Sequence, residues 1–274
     1  MRVWKEGSIK ITLKDQSEIS AMREGGKILG TVLSELESMV KPGISTLQLN
    51  AAAEKMMTQF KVEPSFKGFQ GFPATLCTCI NEEVVHGIPS NRTLNEGEII
   101  TIDCGVFHKG FHTDSAITIP VGKIDDETKR FIEVTQKALD KAIQIARPGI
   151  KINEISSIID STVTNEGYSI IYDLTGHGIG KELHEDPIIP NFRNNQDPGP
   201  ILQPGMTIAI EPIISMGRPE IRILRDNWTY VTADSSLSAQ IEHTIAITED
   251  GSEILTLRPQ INKKKTVALK QNPV

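Results

Sequence analysis

Four carboxylates sit where carboxylates are least expected. Asp103 closes the apolar run Ile99-Ile100-Thr101-Ile102, and Glu211 closes Ile208-Ala209-Ile210. Asp114 and Glu242 stand inside comparable strand-like runs, FHTDSAITI (111–119) and QIEHTIAIT (240–248). An acid in or at the end of an apolar strand is expected to be buried, and a buried carboxylate must be compensated. For any one of them a salt bridge or a strand-end hydrogen bond would do. Together, the four have too little basic partner nearby to be neutralised that way, whereas a pair of divalent cations neutralises four carboxylates.

A histidine is expected to complete such a site. Six are present: His86, His108, His112, His177, His184 and His243. His177 lies in Thr175-Gly176-His177-Gly178-Ile179-Gly180, where three glycines permit close backbone approach to a ligand. His184 follows seven residues later, and His86 opens His86-Gly87-Ile88-Pro89. His108, His112 and His243 adjoin the acid-bearing segments and read as structural or as supports for the ligands. An oxygen-rich set with one imidazole suits Mn²⁺, Fe²⁺ or Co²⁺ better than a sulfur- or nitrogen-rich zinc site would, with zinc as an alternative. Two such ions, about 3.5–4 Å apart, can share a water, lower its pKa towards about 7 and clamp a tetrahedral intermediate. That is the chemistry of amide or ester hydrolysis.

The elements that must position these residues follow from periodicity. Residues 15–40 read as a helix, with apolar positions at Ile19, Met22, Leu29, Val32, Leu33, Leu36 and Met39. Asp15 with Glu18 starts it, and Lys41-Pro42-Gly43 stops it. Ser45 with Gln48 opens a second helix to about Phe60. Strands are expected at 75–80, 98–103 and 111–120, then helices at 126–146 and 152–166, then strands at 206–215, 228–233, 239–248 and 253–257. The chain also echoes itself. KPGISTLQL (41–49) aligns with RPGIKINEI (147–155), GEIITID (97–103) with GMTIAIE (205–211), and FHTDSAITI with QIEHTIAIT. Asp103 then matches Glu211, and Asp114 matches Glu242. Three echoes in one order point to two duplicated α/β halves about a pseudo-twofold axis, which would bring the four acids to the centre.

Composition narrows the class. The 274 residues are 38% hydrophobic and 23% charged, ordinary for a globular protein. A net charge of −6 argues against nucleic acid as the main ligand. No stretch approaches the roughly 18 apolar residues of a membrane span, and the N-terminus lacks the apolar core of a signal peptide. Cys77, Cys79 and Cys104 cannot all pair and fall inside apparent strands, so they are expected to be reduced thiols of a cytoplasmic protein. The division expected is one catalytic domain over 1–261 and a basic tail over 262–274. Lys263, Lys264 and Lys265 in that tail, without periodicity, read as a solvated or disordered end.

At this point the residues resemble a known family. Asp103, Asp114 after ten intervening residues, Gly-His177-Gly-Ile-Gly, Glu211-Pro212 and Gln-Ile-Glu242-His-Thr match the metal-ligand series of methionine aminopeptidases, in order, over about residues 14–258. The resemblance implies an α+β fold of the pita-bread type, in which two pseudo-twofold-related α/β halves build a central curved antiparallel sheet flanked by helices. It implies that Asp114 and Glu242 bridge two divalent ions (Co, Mn or Fe(II), zinc as the alternative), that Asp103 chelates one, and that His177 and Glu211 hold the other. Glu211 would also shuttle a proton, His184 would hydrogen-bond the scissile carbonyl, and His86 would contact the amide or leaving nitrogen. Phe66, Phe69, Phe72, Cys77, Leu183 and Trp228 occupy the positions that line the family's pocket for the first residue. Here Phe69 and Phe72 stand where tyrosines are common, Phe66 where a cysteine is common and Leu183 where phenylalanine is common. The pocket stays apolar and suits a thioether.

With 30 residues (212–241) between Glu211 and Glu242, the chain resembles the type I branch and its short bacterial kind. The implied substrate is the N-terminus of nascent polypeptides, met at the ribosome, and the implied state is a monomer without specific nucleic acid or membrane. Two rivals stand beside this. One is a related hydrolase of the same fold that cuts X-Pro bonds or a small amidine, disfavoured by the lack of a large N-terminal domain. The other is a binding module that has lost catalysis, disfavoured by retention of all five ligands. Ordinary core packing is the competing account of the aromatics, of Phe66 above all.

Overall fold

Helix-breaking and strand-forming signals in the chain resolve into two similar halves. In the computed structural model, which describes residues 2–6 and 9–259, a hairpin of β1 (Arg2–Glu6) and β2 (Ile9–Leu13) precedes α1 (Gln16–Met39) and α2 (Thr46–Phe60). The first half continues with β3 (Glu63–Pro64), β4 (Leu76–Ile80), β5 (Ile99–His108) and β6 (Phe111–Pro120). The second half opens on α3 (Asp126–Ile145) and α4 (Ile152–Thr164), then β7 (Ser169–Ile170), β8 (Thr175–Gly178) and β9 (Glu185–Pro190). It ends through β10 (Thr207–Ile210), β11 (Ile213–Ser215), β12 (Ile221–Ile223), β13 (Tyr230–Thr232), β14 (Ser238–Gln240), β15 (His243–Ile247) and β16 (Ser252–Ile254).

The helices begin where their caps predict. The Asp15 carboxylate accepts from Ser17 and Glu18 N–H while Glu18 accepts from Asp15 N–H, and Ser45 and Gln48 repeat the arrangement. At the stops, Gly43 and Gly149 take φ of 90° and 88°, a conformation that costs glycine nothing. Gly43 N–H then donates to Leu94 carbonyl and Gly149 N–H to Leu202 carbonyl, while Leu94 and Leu202 donate back to Ile44 and Ile150. Gly97 and Gly205 likewise share φ near 90° and donate to Val121 and Ile247. The sequence echo is therefore an echo of hydrogen bonds, which supports duplication.

In the first half, β3, β5 and β4 pair in that order, with β6 antiparallel to β5. In the second, the order is β16-β15-β10-β8-β9. The halves meet where β6 runs beside residues 240–244. There Glu242 N–H donates to Ala116 carbonyl, Asp114 N–H to the Thr244 hydroxyl, and the Ser115 hydroxyl to Glu242 carbonyl. A curved antiparallel sheet with helices packed against it results, the expected pita-bread architecture. The face away from the acids buries Leu29, Leu33 and Leu36 of α1 against Ile100, Ile102 and Cys104 in one half. In the other, Phe131 and Leu139 of α3 and Ile155 and Ile159 of α4 pack on Ile208, Ile210 and Ile245.

Some expectations need correction. The strands expected over 206–215 and 239–248 are each broken, at Glu211-Pro212 and at Ile241-Glu242. Pro212 has no N–H for the ladder, and each break turns an acid out of the sheet's regular register. The glycine-rich stretch around His177 includes a strand, β8, that was not among those expected, and β5 runs on to His108. The β1–β2 hairpin was not anticipated. Cys77, Cys79 and Cys104 are free and buried. No helix among the described residues is long and apolar enough to cross a membrane. The tail over 262–274 lies outside the described residues.

Candidate metal centre

Each acid reaches the centre from its own strand or from a break beside it. Asp103 lies on β5 between Cys77 of β4 and Ala116 of β6, and Asp114 lies on β6 opposite Gly105. His177, on β8, pairs with Ala209 of β10 and Ile188 of β9. Glu211 follows β10, and Glu242 precedes β15. Asp114, His177 and Glu242 each offer one ligand atom, and these atoms lie within 4.8 Å of one another. The Asp103 carboxyl lies against that of Asp114 and repels it, and Glu211 Oε1 lies 3.7 Å from His177 Nε2. The structure thus brings together all five residues expected as ligands.

The electrostatics of this cluster suit a cation. All four acids are buried, and none is in an ion pair with lysine or arginine among the described residues. One oxygen each of Asp103, Asp114 and Glu242 is buried with no hydrogen-bond partner among them. Burial pushes the carboxyl of Asp103 up to about 7. It pushes those of Asp114, Glu211 and Glu242 well above their ordinary range, with mutual repulsion adding to the effect. Orphaned buried carboxylate oxygens around one imidazole suit a hard or borderline divalent cation. His177 Nδ1 lies 2.8 Å from the Gly178 carbonyl, so it must be the protonated nitrogen, which leaves Nε2 free to ligate.

Around this centre stand the other expected residues. The ring of His184 packs edge-on against that of His177, centroids 4.4 Å apart, and against Phe69 at 5.4 Å. His86 takes a φ of 59°, uncommon for a residue with a side chain, and packs edge-on against Tyr230. Burial, with the nearby His184, lowers its imidazole to about 4, so it is neutral near pH 7. Phe66, Phe72, Cys77 and Leu183 are buried in one apolar cluster, which the half-buried Phe69 and Trp228 join. Phe72 and Trp228 meet edge-on at 5.1 Å. Burial and the neighbouring Asp103 push the Cys77 thiol well up, so it stays protonated. His108 turns instead to Glu24 on the surface, His112 to Ser65 and His243 to Thr256.

Two residues of the centre escaped the sequence reading. Gln240 donates its amide to Glu211 Oε2 at 2.9 Å, and Asn191, fully buried, donates to the Glu211 carbonyl at 2.9 Å. Gln240 sits two residues before Glu242, which was a usable signal; nothing in one sequence ties Asn191 to Glu211.

Known proteins share this sequence and fold. The model of metallopeptidase family M24 matches residues 20–249. The chain belongs to that family. It is 46% identical over 246 residues to methionine aminopeptidase 1 of Bacillus subtilis, covering 90% of this chain and 99% of that protein. Among solved structures, methionine aminopeptidase from Thermotoga maritima superposes with a TM-score of 0.88 at 40% identity, over 90% of this chain and 99% of that one. The prolidase of Pyrococcus horikoshii follows the same fold (TM-score 0.74, 25% identity), but this chain spans 90% of itself and only 64% of the prolidase. As an M24 metallopeptidase the chain is a metal-dependent hydrolase, and its acid cluster is where a divalent metal fits.

Proposed function

We propose that this protein removes the initiator methionine from the N-terminus of nascent polypeptides. The observation that carries the reading is the convergence of Asp103, Asp114, His177, Glu211 and Glu242 at one buried centre beside the apolar cluster of Phe66, Phe72, Cys77 and Leu183. The near-complete coverage of methionine aminopeptidase relatives, against partial coverage of a prolidase, favours methionine over X-Pro substrates. Asp103, Asp114, His177, Glu211 and Glu242 would hold the divalent ions. The donor set suits Mn²⁺, Fe²⁺ or Co²⁺, with zinc as the alternative. Bound there, divalent ions would polarise the scissile carbonyl and supply a water acidic enough to attack near neutral pH.

The chain's own residues do the rest. Glu211 takes a proton from the attacking water and returns it to the leaving amine. His184 donates a hydrogen bond to the carbonyl oxygen as charge develops there, and His86, neutral at working pH, steadies the leaving nitrogen. The substrate's free amino group lies towards Asp103, and its thioether enters the cluster of Phe66, Phe69, Phe72, Cys77, Leu183 and Trp228. Residues 1–261 act as one catalytic domain, as a monomer in the cytoplasm, on chains emerging from the ribosome; the free, buried thiols suit a reducing compartment. The test compares Met-Ala-Ser with its N-acetylated form and with Ala-Pro and Gly-Pro peptides. Cleavage of Met-Ala-Ser alone is expected, and cleavage of the X-Pro bonds in its place would overturn the reading.

A further inference from the structure

His184 owes its position to a charge pair outside the metal centre. It lies in the turn between β8 and β9, and the next residue, Glu185, pairs with Gly178 across a bulge. The Glu185 carboxylate is fastened from three directions. Lys14 Nζ lies 2.6 Å from Oε2, the Thr12 hydroxyl donates to the same oxygen, and Glu182 N–H donates to Oε1 at 3.2 Å. The two charged side chains are 2% and 11% exposed. Lys14 Nζ also lies 3.3 Å from both the carbonyl and the hydroxyl of Thr12, so its three protons have three acceptors.

The lysine also shapes the turn sterically. A Cβ on Gly180 would fall 2.4 Å from Lys14 Cε and 2.6 Å from Glu185 Oε1, so this backbone has no slack against the pair. Gly180 carbonyl in turn accepts from His112 N–H at 2.7 Å. Strand β2 is anchored at both ends. Lys10 N–H donates to Asp186, and Lys14 N–H donates to Gly205 carbonyl at 2.7 Å, just ahead of the strand that leads to Glu211. A buried ion pair is a weak source of net stability, because desolvation offsets most of the attraction. Its directional contacts fix registry, and the group fixed here is the residue next to His184.

We propose that Lys14 is a positioning residue for His184: through Glu185 it sets the height and tilt of the imidazole over the metal centre, so the N-terminal hairpin acts on turnover rather than on metal or peptide binding. This rests on the reading of His184 as the donor to the scissile carbonyl.

The experiment measures kcat, KM and metal stoichiometry on Met-Ala-Ser for metal-loaded Lys14→Met and Thr12→Val, each in the parent and in a His184→Ala background. Because misplacing a catalytic group by about 1 Å can cost about 10²-fold, Lys14→Met is expected to lower kcat by about 10- to 100-fold. KM and two-ion binding should stay within about twofold. Thr12→Val keeps the ion pair, so it folds even where Lys14→Met does not, and should show a smaller loss of the same kind. In the His184→Ala background both losses should vanish. Equal losses in both backgrounds, a loss confined to KM, or a lower Tm with unchanged kcat would overturn the proposal. A His184→Ala variant with unimpaired kcat would instead remove the role assigned to His184, and the proposal with it.

Discussion

Replacing Asn191 with leucine isolates the support of one ligand without touching any ligand. Asn191 is fully buried, and its amide donates to the Glu211 carbonyl at 2.9 Å, at the point where Pro212 breaks the ladder between β10 and β11. Leucine keeps the branching and heavy-atom count and deletes the donor. A buried acceptor left bare costs about 1–3 kcal/mol. Part is recovered, because Asn191 Oδ1 itself has no partner among the described residues, so a net loss of about 1–2 kcal/mol is expected. For a chain of this size that is a fall in Tm of roughly 2–8 °C. With its carbonyl freed, Glu211 loses its fixed approach to the centre, and outer supports of this kind are worth about 10- to 100-fold in metal affinity. Thermal melts of metal-free protein give the first quantity, and Mn²⁺ titration calorimetry gives the second. An unchanged Tm with Mn²⁺ affinity within about twofold of the parent would refute the reasoning that Asn191 holds Glu211 in place.

Three further outcomes are expected. His86→Ala should lower kcat by about 10²–10⁴-fold with two ions still bound, as followed by methionine release and metal analysis. Gly26→Ala places a Cβ 2.3 Å from the Leu255 carbonyl, a backbone clash that should cost about 1–3 kcal/mol in urea unfolding. The Asp234 carboxyl is held down to about 2 by the Ser236 hydroxyl and by the N–H groups of Arg218 and Ser236. Its stabilisation is therefore present above its ordinary value of 3.8 and is lost as pH falls from there to about 2, so Asp234→Asn should flatten that part of the acid limb of stability against pH.

The candidate ligands were legible because burial and charge conflict locally: Asp103 and Glu211 end apolar runs, and that conflict shows in the residues themselves. The helices were legible for the same local reason, since Asp15 with Glu18 and Ser45 with Gln48 carry their own caps. The duplication was legible because Lys41-Pro42-Gly43 and Arg147-Pro148-Gly149 stop their helices by one mechanism. What stayed hidden depends on distant pairing. The breaks at Pro212 and Glu242 read as continuous strands because the flanking isoleucines and threonines favour strand on either side. Strands β8 and β9 carry no long β-branched run, and they form because β10 supplies partner groups to β8 and β8 supplies them to β9. Lys14 and Glu185 lie 171 residues apart in sequence, and no local pattern links them.

The most direct test of the account is metal-free protein assayed for release of methionine from Met-Gly-Met-Met, with Mn²⁺, Fe²⁺ or Co²⁺ added back, beside Glu211→Ala. The account predicts metal-dependent release that the variant lacks. Binding of two ions with no cleavage of this peptide by the parent protein, under any of the three metals, would contradict it.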